Sequence, residues 1–510
     1  MNSSPSQSDA DGRAPRASDG ALPAAHGVIY ESIVGAVSAV AGYALHVVAA
    51  RWLGASPYGR FVLVLSILFW SKNVQRNILL PGLIKSVSED HRRLDGALHV
   101  ATRWYALAAG ILLVSLLGLA GAFGFIWGDW ALAGVLVVGA CEIPFAATHK
   151  LASGLLTCMR RYGRSSAIRG LYTVFRAGIG CLLIVLGFGA VGGVAGQLVG
   201  AAGAAVLGFT LLRGVRKRLE SVPYPQMFSR ALSWTGYTLP FTFALSSLLA
   251  LDLWMVGGMM ESDTAAGYYG AAYSLARAPR LFAAALAAAI FPRVSGALAD
   301  GNESLARSVS VDALRTVIII FVPTCVLVGE SSTGIVTFLF SDTYEAAGWP
   351  LMFLIAAGAL ETTLLVLLAM LAALDRPGKR LAVVAGMLPV ATGMNWLLIP
   401  QYGLVGAAGG TLLTMAGGAM VAFRLVREMM GIRLPLATCV RCGIAGLLIG
   451  IGAFYWPASD WMVAVKLAVL GSGYLTLLLI LGELGRREIE MVADILPGKW
   501  PDRLLWFWDE

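Results

Sequence analysis

Residues 188–196 read Phe-Gly-Ala-Val-Gly-Gly-Val-Ala-Gly, and residues 402–410 read Tyr-Gly-Leu-Val-Gly-Ala-Ala-Gly-Gly. Each begins with an aromatic residue and a glycine, continues as a ridge of small residues, and sits between two apolar runs: 168–187 and 191–212 in the first case, 381–400 and 404–424 in the second. Runs of about 20 apolar residues are long enough to cross a bilayer core as helix. Each motif is therefore a turn between two membrane helices, and the hairpin occurs twice. Two more landmarks return at nearly the same shift of about 213 residues: Tyr58-Gly59 as Tyr269-Gly270, and Arg161-Tyr162-Gly163-Arg164 as Arg376-Pro377-Gly378-Lys379. A nearly constant shift marks a duplicated unit and not chance likeness between apolar helices. The spaced glycines 192, 196 and 200 form a small-xxx-small ridge on which another helix can lie closely.

The rest of the chain fits the same reading. Of 510 residues, 58% are hydrophobic and 13% charged, and the mean hydropathy is +0.75, outside the range of soluble domains. The apolar runs do not alternate residue by residue, so they are helices and not barrel strands. They divide into about fourteen spans, near 26–50, 60–82, 97–121, 130–153, 168–187, 191–212, 232–259, 267–291, 308–329, 347–374, 381–400, 404–424, 437–455 and 461–482. Because each repeat holds an even number of spans, both enter the membrane in the same direction. The expected fold is all-α: two parallel six-helix lobes, 26–215 and 216–430, around a central cavity, with an added pair of helices in 431–483. Residues 1–25, rich in Ser, Asp, Pro and Ala, read as a disordered cytoplasmic tail without a secretory signal, and 484–510 as a second cytoplasmic tail whose Trp500, Trp506 and Trp508 suit the headgroup region.

Positive charge sets the orientation. Alternate loops carry Lys85, Arg92 and Arg93; Arg160, Arg161, Arg164 and Arg169; Arg213, Arg216, Lys217 and Arg218; Arg376, Lys379 and Arg380; and Arg427 and Arg433. The opposite loops carry Asp129, Glu261, Asp263, Asp342 and Glu345, with Arg51 and Arg60 as exceptions. Both termini are thus expected in the cytoplasm. The net charge of +8 is spread over these loops, which points to topology and anionic lipid and not to nucleic acid. No phosphate-cradling G-x-x-x-x-G-K-[ST] occurs, the short loops hold no nucleophile-base constellation, and Cys439-x-x-Cys442 lies inside an apolar helix without a second ligand pair. The chain reads as a transporter, with no cofactor, metal or catalytic residue.

A cation at the centre of a membrane helix costs about 2.5–3.5 kcal/mol on insertion scales, so each one there needs a reason. Arg103, Lys150, Arg315 and Arg441 lie close enough to the cytosolic boundary to snorkel. Lys72 and Arg76 are one helical turn apart in the second span, and Arg277 and Arg280 flank Ala278-Pro279 in the eighth, its equivalent under the repeat. Arg176 lies within the fifth span. Against these five cations stand Glu142, Asp252 and Glu361. Buried ion pairing is one reading; the excess of cations favours the other, a cavity for an anionic ligand, since guanidinium forks match phosphate oxygens. Asp252, Glu361 and Glu142 are candidates for coupling or for shaping the cavity. His46 reads as a packing residue.

Four stretches, in this order and spacing, resemble a known family. They are Ala-Arg-Trp-Leu-Gly-Ala-Ser-Pro-Tyr-Gly at 50–59; Asp252 with Val256-Gly257 and then Gly-Tyr-Tyr-Gly-Ala-Ala at 267–272; Phe291-Pro292; and Asn-Trp-Leu-Leu-Ile-Pro-Gln-Tyr-Gly-Leu-Val-Gly-Ala-Ala at 395–408. Together they look like the bacterial oligosaccharide flippases, the polysaccharide-biosynthesis branch of the multidrug, oligosaccharidyl-lipid and polysaccharide exporter superfamily, over nearly the whole chain after the first tail. The resemblance implies an inner-membrane protein that moves undecaprenyl-diphosphate-linked oligosaccharide to the periplasmic leaflet by alternating access, for O-antigen, capsule or exopolysaccharide. It also implies a cationic cavity in which Lys72, Arg76, Arg277 and Arg280 meet the diphosphate or an acidic sugar. Implied partners are membrane lipids, the glycosyltransferases and the polysaccharide polymerase of the same pathway. Peptidoglycan-precursor flippases and multidrug exporters coupled to protons or sodium share the architecture, but an exporter of organic cations needs a net acidic cavity. A membrane-embedded glycosyl or acyl transferase would need a catalytic carboxylate or histidine on a sizeable loop.

Overall fold

The computed structural model describes residues 18–77, 94–159, 161–216, 224–260, 262 and 264–483. Within helices, the side chains of 18–32, 94–101, 214–216, 224–235, 279–281, 284, 285 and 288 are not described. Both expected tails, apart from the helical residues 18–25, and the loop charges at Lys85, Arg92, Arg93, Arg160, Lys217, Arg218, Glu261 and Asp263 lie outside the described residues.

Among the described residues there are helices and no strands. They are α1 (Ser18–Leu53), α2 (Ala55–Asn77), α3 (Leu94–Phe125), α4 (Trp130–Ala140), α5 (Glu142–Cys158), α6 (Tyr162–Leu183), α7 (Gly189–Arg216), α8 (Tyr224–Leu248), α9 (Leu251–Met259), α10 (Ala265–Ala276), α11 (Ala278–Ala299), α12 (Glu303–Glu330), α13 (Ser332–Leu339), α14 (Gly348–Ala373), α15 (Pro377–Met430), α16 (Leu436–Tyr455) and α17 (Met462–Ile480). Nine described stretches are long and apolar enough to span a membrane unaided. Two of them, Tyr162–Arg213 and Pro377–Met430, fold back on themselves at glycines and each supply two spans. The bent pair α8–α9, the polar α2 and the broken pair α10–α11 complete the fourteen.

The fold-backs occur where the repeat places them. Gly189 has φ +64 and ψ −152, and Gly403 has φ +57 and ψ −131. This is a region that residues with a Cβ avoid. The same residue of each copy makes the same reversal, so the repeated sequence is a repeated backbone. Beyond the first turn, a Cβ on Gly196 would strike the backbone of Gly180, and one on Gly200 would lie 2.9 Å from the nitrogen of Arg176. α6 and α7 therefore touch backbone to backbone.

The two six-span halves are not independent throughout. At the end where α2 and α10 begin, one apolar core combines Leu45, Tyr58, Phe61 and Leu136 with Tyr269, Phe340, Tyr344 and Leu351. Tyr58 packs on Phe340 and Tyr344 with ring centroids at 6.3 and 5.9 Å, and the Tyr344 hydroxyl donates to the Ala50 carbonyl at 3.0 Å. Arg51, an exception to the charge pattern, donates from Nε to the Leu339 carbonyl at 2.8 Å and from Nη2 to that of Phe338. Those carbonyls close the last turn of α13, where a cation satisfies acceptors that the helix leaves open. Towards the other end the halves keep separate cores, around Ala152, Leu156 and Ile168 in the first and Leu286, Val317 and Leu367 in the second.

The added pair α16 and α17 packs on α12 through Ile319, Leu327, Cys442, Ile449 and Tyr474. Arg315 and Arg441, expected to carry their charge to the boundary, converge on Glu483 just beyond the end of α17, at 2.7 and 2.9 Å. The Glu483 side chain is 1% exposed. Burial alone would raise the proton affinity of this carboxyl, but hydrogen bonds from Thr438, Arg315 and Arg441 outweigh it and hold Glu483 below the usual carboxylate range.

Candidate substrate cavity

The second half of α2 buries Ser66, Ser71, Lys72 and Gln75, and Lys72 is tolerated because its neighbours supply acceptors. Its Nζ donates to both oxygens of Glu142, at 2.9 and 3.0 Å, to Gln197 Oε1 at 3.0 Å and to the Tyr172 hydroxyl at 3.3 Å. Tyr172 in turn donates to Glu142 Oε1 at 3.0 Å. Glu142 begins α5, immediately after the chain breaks at Cys141, and is fully buried. His149 stacks on Tyr172 with ring centroids at 4.8 Å. Lys150, expected to snorkel, turns inward and donates to the Lys72 carbonyl at 3.0 Å.

One turn after Tyr172 on α6, the Arg176 guanidinium lies 5.6 Å from that ring's centroid. Its Nε is buried with no hydrogen-bond partner among the described residues. Gly42 makes room for it: a Cβ there would sit 3.5 Å from Nη2. From the other half comes Arg277, at the break between α10 and α11. Pro279, two residues on, lacks an N–H and disfavours helical backbone in the residue before it, so the helix restarts there. The Arg277 guanidinium lies 4.7 Å from the Phe69 ring centroid and 4.9 Å from that of Tyr273. It thus packs on aromatic faces from both halves.

These residues enclose a cavity of about 130 Å³ lined by His46, Ser66, Phe69, Lys72, Arg176, Gln197, Tyr273 and Arg277, among others. Among the described residues, no carboxylate lines it. A smaller cavity of about 20 Å³ adjoins it, sharing Tyr273 and Arg277 and lined by Asp252, Glu361 and Thr411. Asp252 accepts from the Tyr269 hydroxyl at 2.8 Å, from Thr411 at 3.1 Å and from the Leu253 backbone at 2.8 Å. The interior is divided by sign. Of the groups lining the two cavities, the first half contributes the cations Lys72 and Arg176, the second contributes the carboxylates Asp252 and Glu361, and Arg277 of the second half borders both.

Of the expected site residues, Lys72, Arg176 and Arg277 meet at the larger cavity, Asp252 and Glu361 meet at the smaller, and Glu142 lies behind Lys72. Arg76, one turn beyond Lys72, is exposed, and its carbonyl accepts from Tyr105 at 2.9 Å; it does not line the cavity with Lys72. The side chain of Arg280 lies outside the described residues. Sequence reasoning passed over Tyr172, Gln197 and Tyr273, which carry no charge to attract notice. His46, read from the sequence as a packing residue, does pack on Tyr58 and Phe61, with ring centroids at 6.2 and 6.1 Å, and it also lines the cavity, with Nδ1 3.1 Å from the Tyr58 hydroxyl. The spacing of Tyr172 one turn before Arg176, and a glutamine inside a glycine ridge, are the signals that could have found two of them.

A family model described as polysaccharide biosynthesis protein matches residues 48–348, more than half of the chain. The chain belongs to the polysaccharide biosynthesis protein family. A relative in Haloferax volcanii, the probable low-salt glycan biosynthesis flippase Agl15, is 24% identical over 330 residues, covering 64% of this chain and 67% of that one. The fold is similar to that of the lipid II flippase MurJ in an inward closed conformation, with a TM-score of 0.72 and 14% identity over 88% of this chain and 98% of MurJ. It is also similar to an inward-facing multidrug resistance MATE transporter of the MOP superfamily, with a TM-score of 0.62 and 13% identity over 79% and 98%. A third is a MOP superfamily transporter from Pyrococcus furiosus reported to have a binding pocket of reverse polarity, with a TM-score of 0.57 and 14% identity over 79% and 95%. This member of the polysaccharide biosynthesis family is therefore a multi-pass membrane transporter, not an enzyme.

Proposed function

We propose that this protein flips an undecaprenyl-diphosphate-linked oligosaccharide from the cytoplasmic to the periplasmic leaflet of a bacterial inner membrane. The observation that carries the reading is the larger cavity: Lys72, Arg176 and Arg277 line it, and the buried Arg176 Nε has no acceptor among the described residues. A diphosphate brings oxygens that guanidinium groups bind bidentately, and burial away from water strengthens the attraction. By the charge of the loops, the end at which the halves merge faces the periplasm and both termini face the cytoplasm. The moving bodies are then 26–215 and 216–430, with 431–483 carried on the second. Arg76 and Arg280 meet the diphosphate on its way in, and Asp252 and Glu361 serve coupling or shape the pocket. The oligosaccharide is made by glycosyltransferases of the pathway and taken up by its polymerase for O-antigen, capsule or exopolysaccharide.

Two other readings have an observation in their favour. The likeness to the MurJ fold suits a peptidoglycan precursor, which presents the same diphosphate. The pocket of Asp252 and Glu361 suits an organic cation exported against protons or sodium. The test is to deplete the protein and identify, by sided labelling of inner-membrane vesicles, the lipid-linked sugars that accumulate. A single undecaprenyl-linked glycan held on the cytoplasmic leaflet is expected, and its chemistry names the substrate. Arg176→Ala and Arg277→Ala are expected to insert normally and lose transport, with Arg277→Lys retaining part of it. Normal surface polysaccharide in both alanine variants, or sensitivity to cationic drugs without glycan accumulation, would overturn the reading.

A further inference from the structure

The contacts of Lys72 raise a question that the anion cavity alone leaves open. An ammonium has three N–H donors, and in this structure they are directed to Glu142, Gln197 and Tyr172, all within the first half. Lys72 lines the cavity, yet none of its donors remains for a ligand there. We propose that Glu142 is a proton-operated switch that holds Lys72 when ionised and releases it to an anion in the cavity when protonated. The inference rests on the anion-binding reading of that cavity.

The step balances as a simple proton transfer. The Glu142 carboxylate, which lies behind Lys72 and does not itself line the cavity, takes up one proton supplied by bulk solvent and becomes a neutral acid. Its hold on Lys72 falls from an ion pair to a neutral hydrogen bond, and the ammonium, fixed in the membrane interior, turns to the nearest anion, a phosphate oxygen beside Arg176 and Arg277. In reverse, an anion that draws Lys72 away leaves a buried carboxylate without its counter-ion. That charge is costly unless a proton neutralises it. Anion binding and protonation of Glu142 therefore favour each other by the same factor.

The groups around Glu142 support the assignment. α2 presents Lys72; α6 presents Tyr172 and Arg176; α7 presents the neutral Gln197; and α5 itself adds His149 and Lys150. α3, packed on α5, brings Tyr105, whose hydroxyl is engaged by the Arg76 carbonyl, and the exposed Arg103. α4 carries no titratable residue. Glu142 is the one carboxylate among the described residues of this cluster, and His149, stacked on Tyr172, Lys150 on the Lys72 carbonyl and His46 in the cavity wall are the other groups that exchange protons nearby.

The experiment uses inorganic pyrophosphate and the purified full-length transporter. Calorimetric titration at one pH in buffers of different ionisation enthalpy counts the protons taken up on binding. The pyrophosphate's own ionisation is common to all variants and cancels between them. Wild type is expected to take up about one proton more than Glu142→Gln, and its affinity to rise by up to about tenfold more per unit fall in pH than that of the variant. His149→Asn is expected to behave as wild type. Infrared difference spectra of the wild-type protein, which need no variant, are expected to show a protonated carboxyl appearing as pyrophosphate binds. Equal proton uptake by wild type and Glu142→Gln, or loss of the extra proton in His149→Asn, overturns the switch while leaving the anion cavity in place. Failure of wild type to bind pyrophosphate overturns both.

Discussion

Gly267 is expected to be a point at which one methyl group changes which conformation the transporter prefers. It faces the first turn of α2. A Cβ built on it would overlap the carbonyl oxygen of Ala55 and lie 2.7 Å from that carbonyl's carbon and 3.1 Å from its Cα. All three are backbone atoms, so no change of rotamer relieves the clash. Gly59 repeats the situation from the other side, with its Cβ position 2.7 Å from the Gly267 nitrogen. Forcing extra volume into a packed core costs about 1–3 kcal/mol. In an ordinary core that energy would be lost as stability. Here the contact joins the two halves, so Gly267→Ala penalises only the state in which α2 and α10 touch. A bias of about 1–3 kcal/mol shifts the populations roughly 5- to 150-fold towards the state in which they part. Pulsed electron paramagnetic resonance between labels at Trp52 and Trp349, both exposed at this end, in a background lacking the native cysteines, reads the separation. A larger long-distance population is expected in Gly267→Ala, and a larger one again in Gly267→Leu. An unchanged distribution in a folded variant would refute the reasoning, because the contact could then absorb the methyl. Outright loss of folded protein would also refute it, because the penalty would then fall on every state.

Four further outcomes are expected. Arg51→Ala removes the cap on the last carbonyls of α13, and since Arg51 is exposed the loss is discounted to about 1 kcal/mol; the same label pair should lengthen in the same direction as for Gly267→Ala, by less. Lys72→Met strands the Glu142 carboxylate and should cost about 3–5 kcal/mol, visible as a lowered melting temperature in fluorescence-detected size exclusion, whereas Lys72→Met with Glu142→Gln should recover most of it. Gly189→Ala and Gly403→Ala each force a Cβ into a backbone region suited to glycine and should each cost about 1–3 kcal/mol; melting temperatures equal to wild type would show that the turns can rearrange. Glu483, held below the usual carboxylate range, contributes stability that is present in full above the ordinary carboxylate pKa and is lost as pH falls through its own lower value. The melting-temperature gap between wild type and Glu483→Gln should therefore close on acidification, and a gap that stays constant would remove Glu483 as the clamp of α16 and α17.

The parts of this structure legible in the sequence are those that backbone chemistry forces. The reversals at 189 and 403 use a backbone region that residues with a Cβ avoid, and Gly189 and Gly403 announce themselves by recurring in register. The break at Arg277 was legible because Pro279 cannot continue the helix behind it. Which cations face the cavity was not legible. Lys72 and Arg76 are four residues apart and nominally share a face, yet one is buried on Glu142 and the other is exposed. What separates them is the partner each meets: Glu142 and Gln197 lie 70 and 125 residues away in sequence. The role of Arg51 was hidden for the same reason, since its acceptor Leu339 is 288 residues distant. Tyr172 and Tyr273 were invisible because a neutral aromatic in an apolar helix looks like packing until a cation is found over its ring.

Two of the contacts that join α2 to the α10–α11 element mark its ends and are evenly spaced. Gly59 and Phe69 are ten residues apart on α2, and Gly267 and Arg277 are ten residues apart on the partner, about 15 Å of helix in each case. The first pair, Gly59 with Gly267, is the closure at one end. The second, Phe69 with Arg277, borders the cationic cavity. Two stiff helices fastened at two such points cannot be parted at the first by translation without also separating the second. They can keep the second only by pivoting about it. Translation takes the Arg277 guanidinium away from Lys72 and Arg176 and dismantles the anion site as the closure opens; pivoting leaves the site assembled. Only the first motion makes opening and release a single event, because the charges that bind the anion are then supplied by two bodies moving apart.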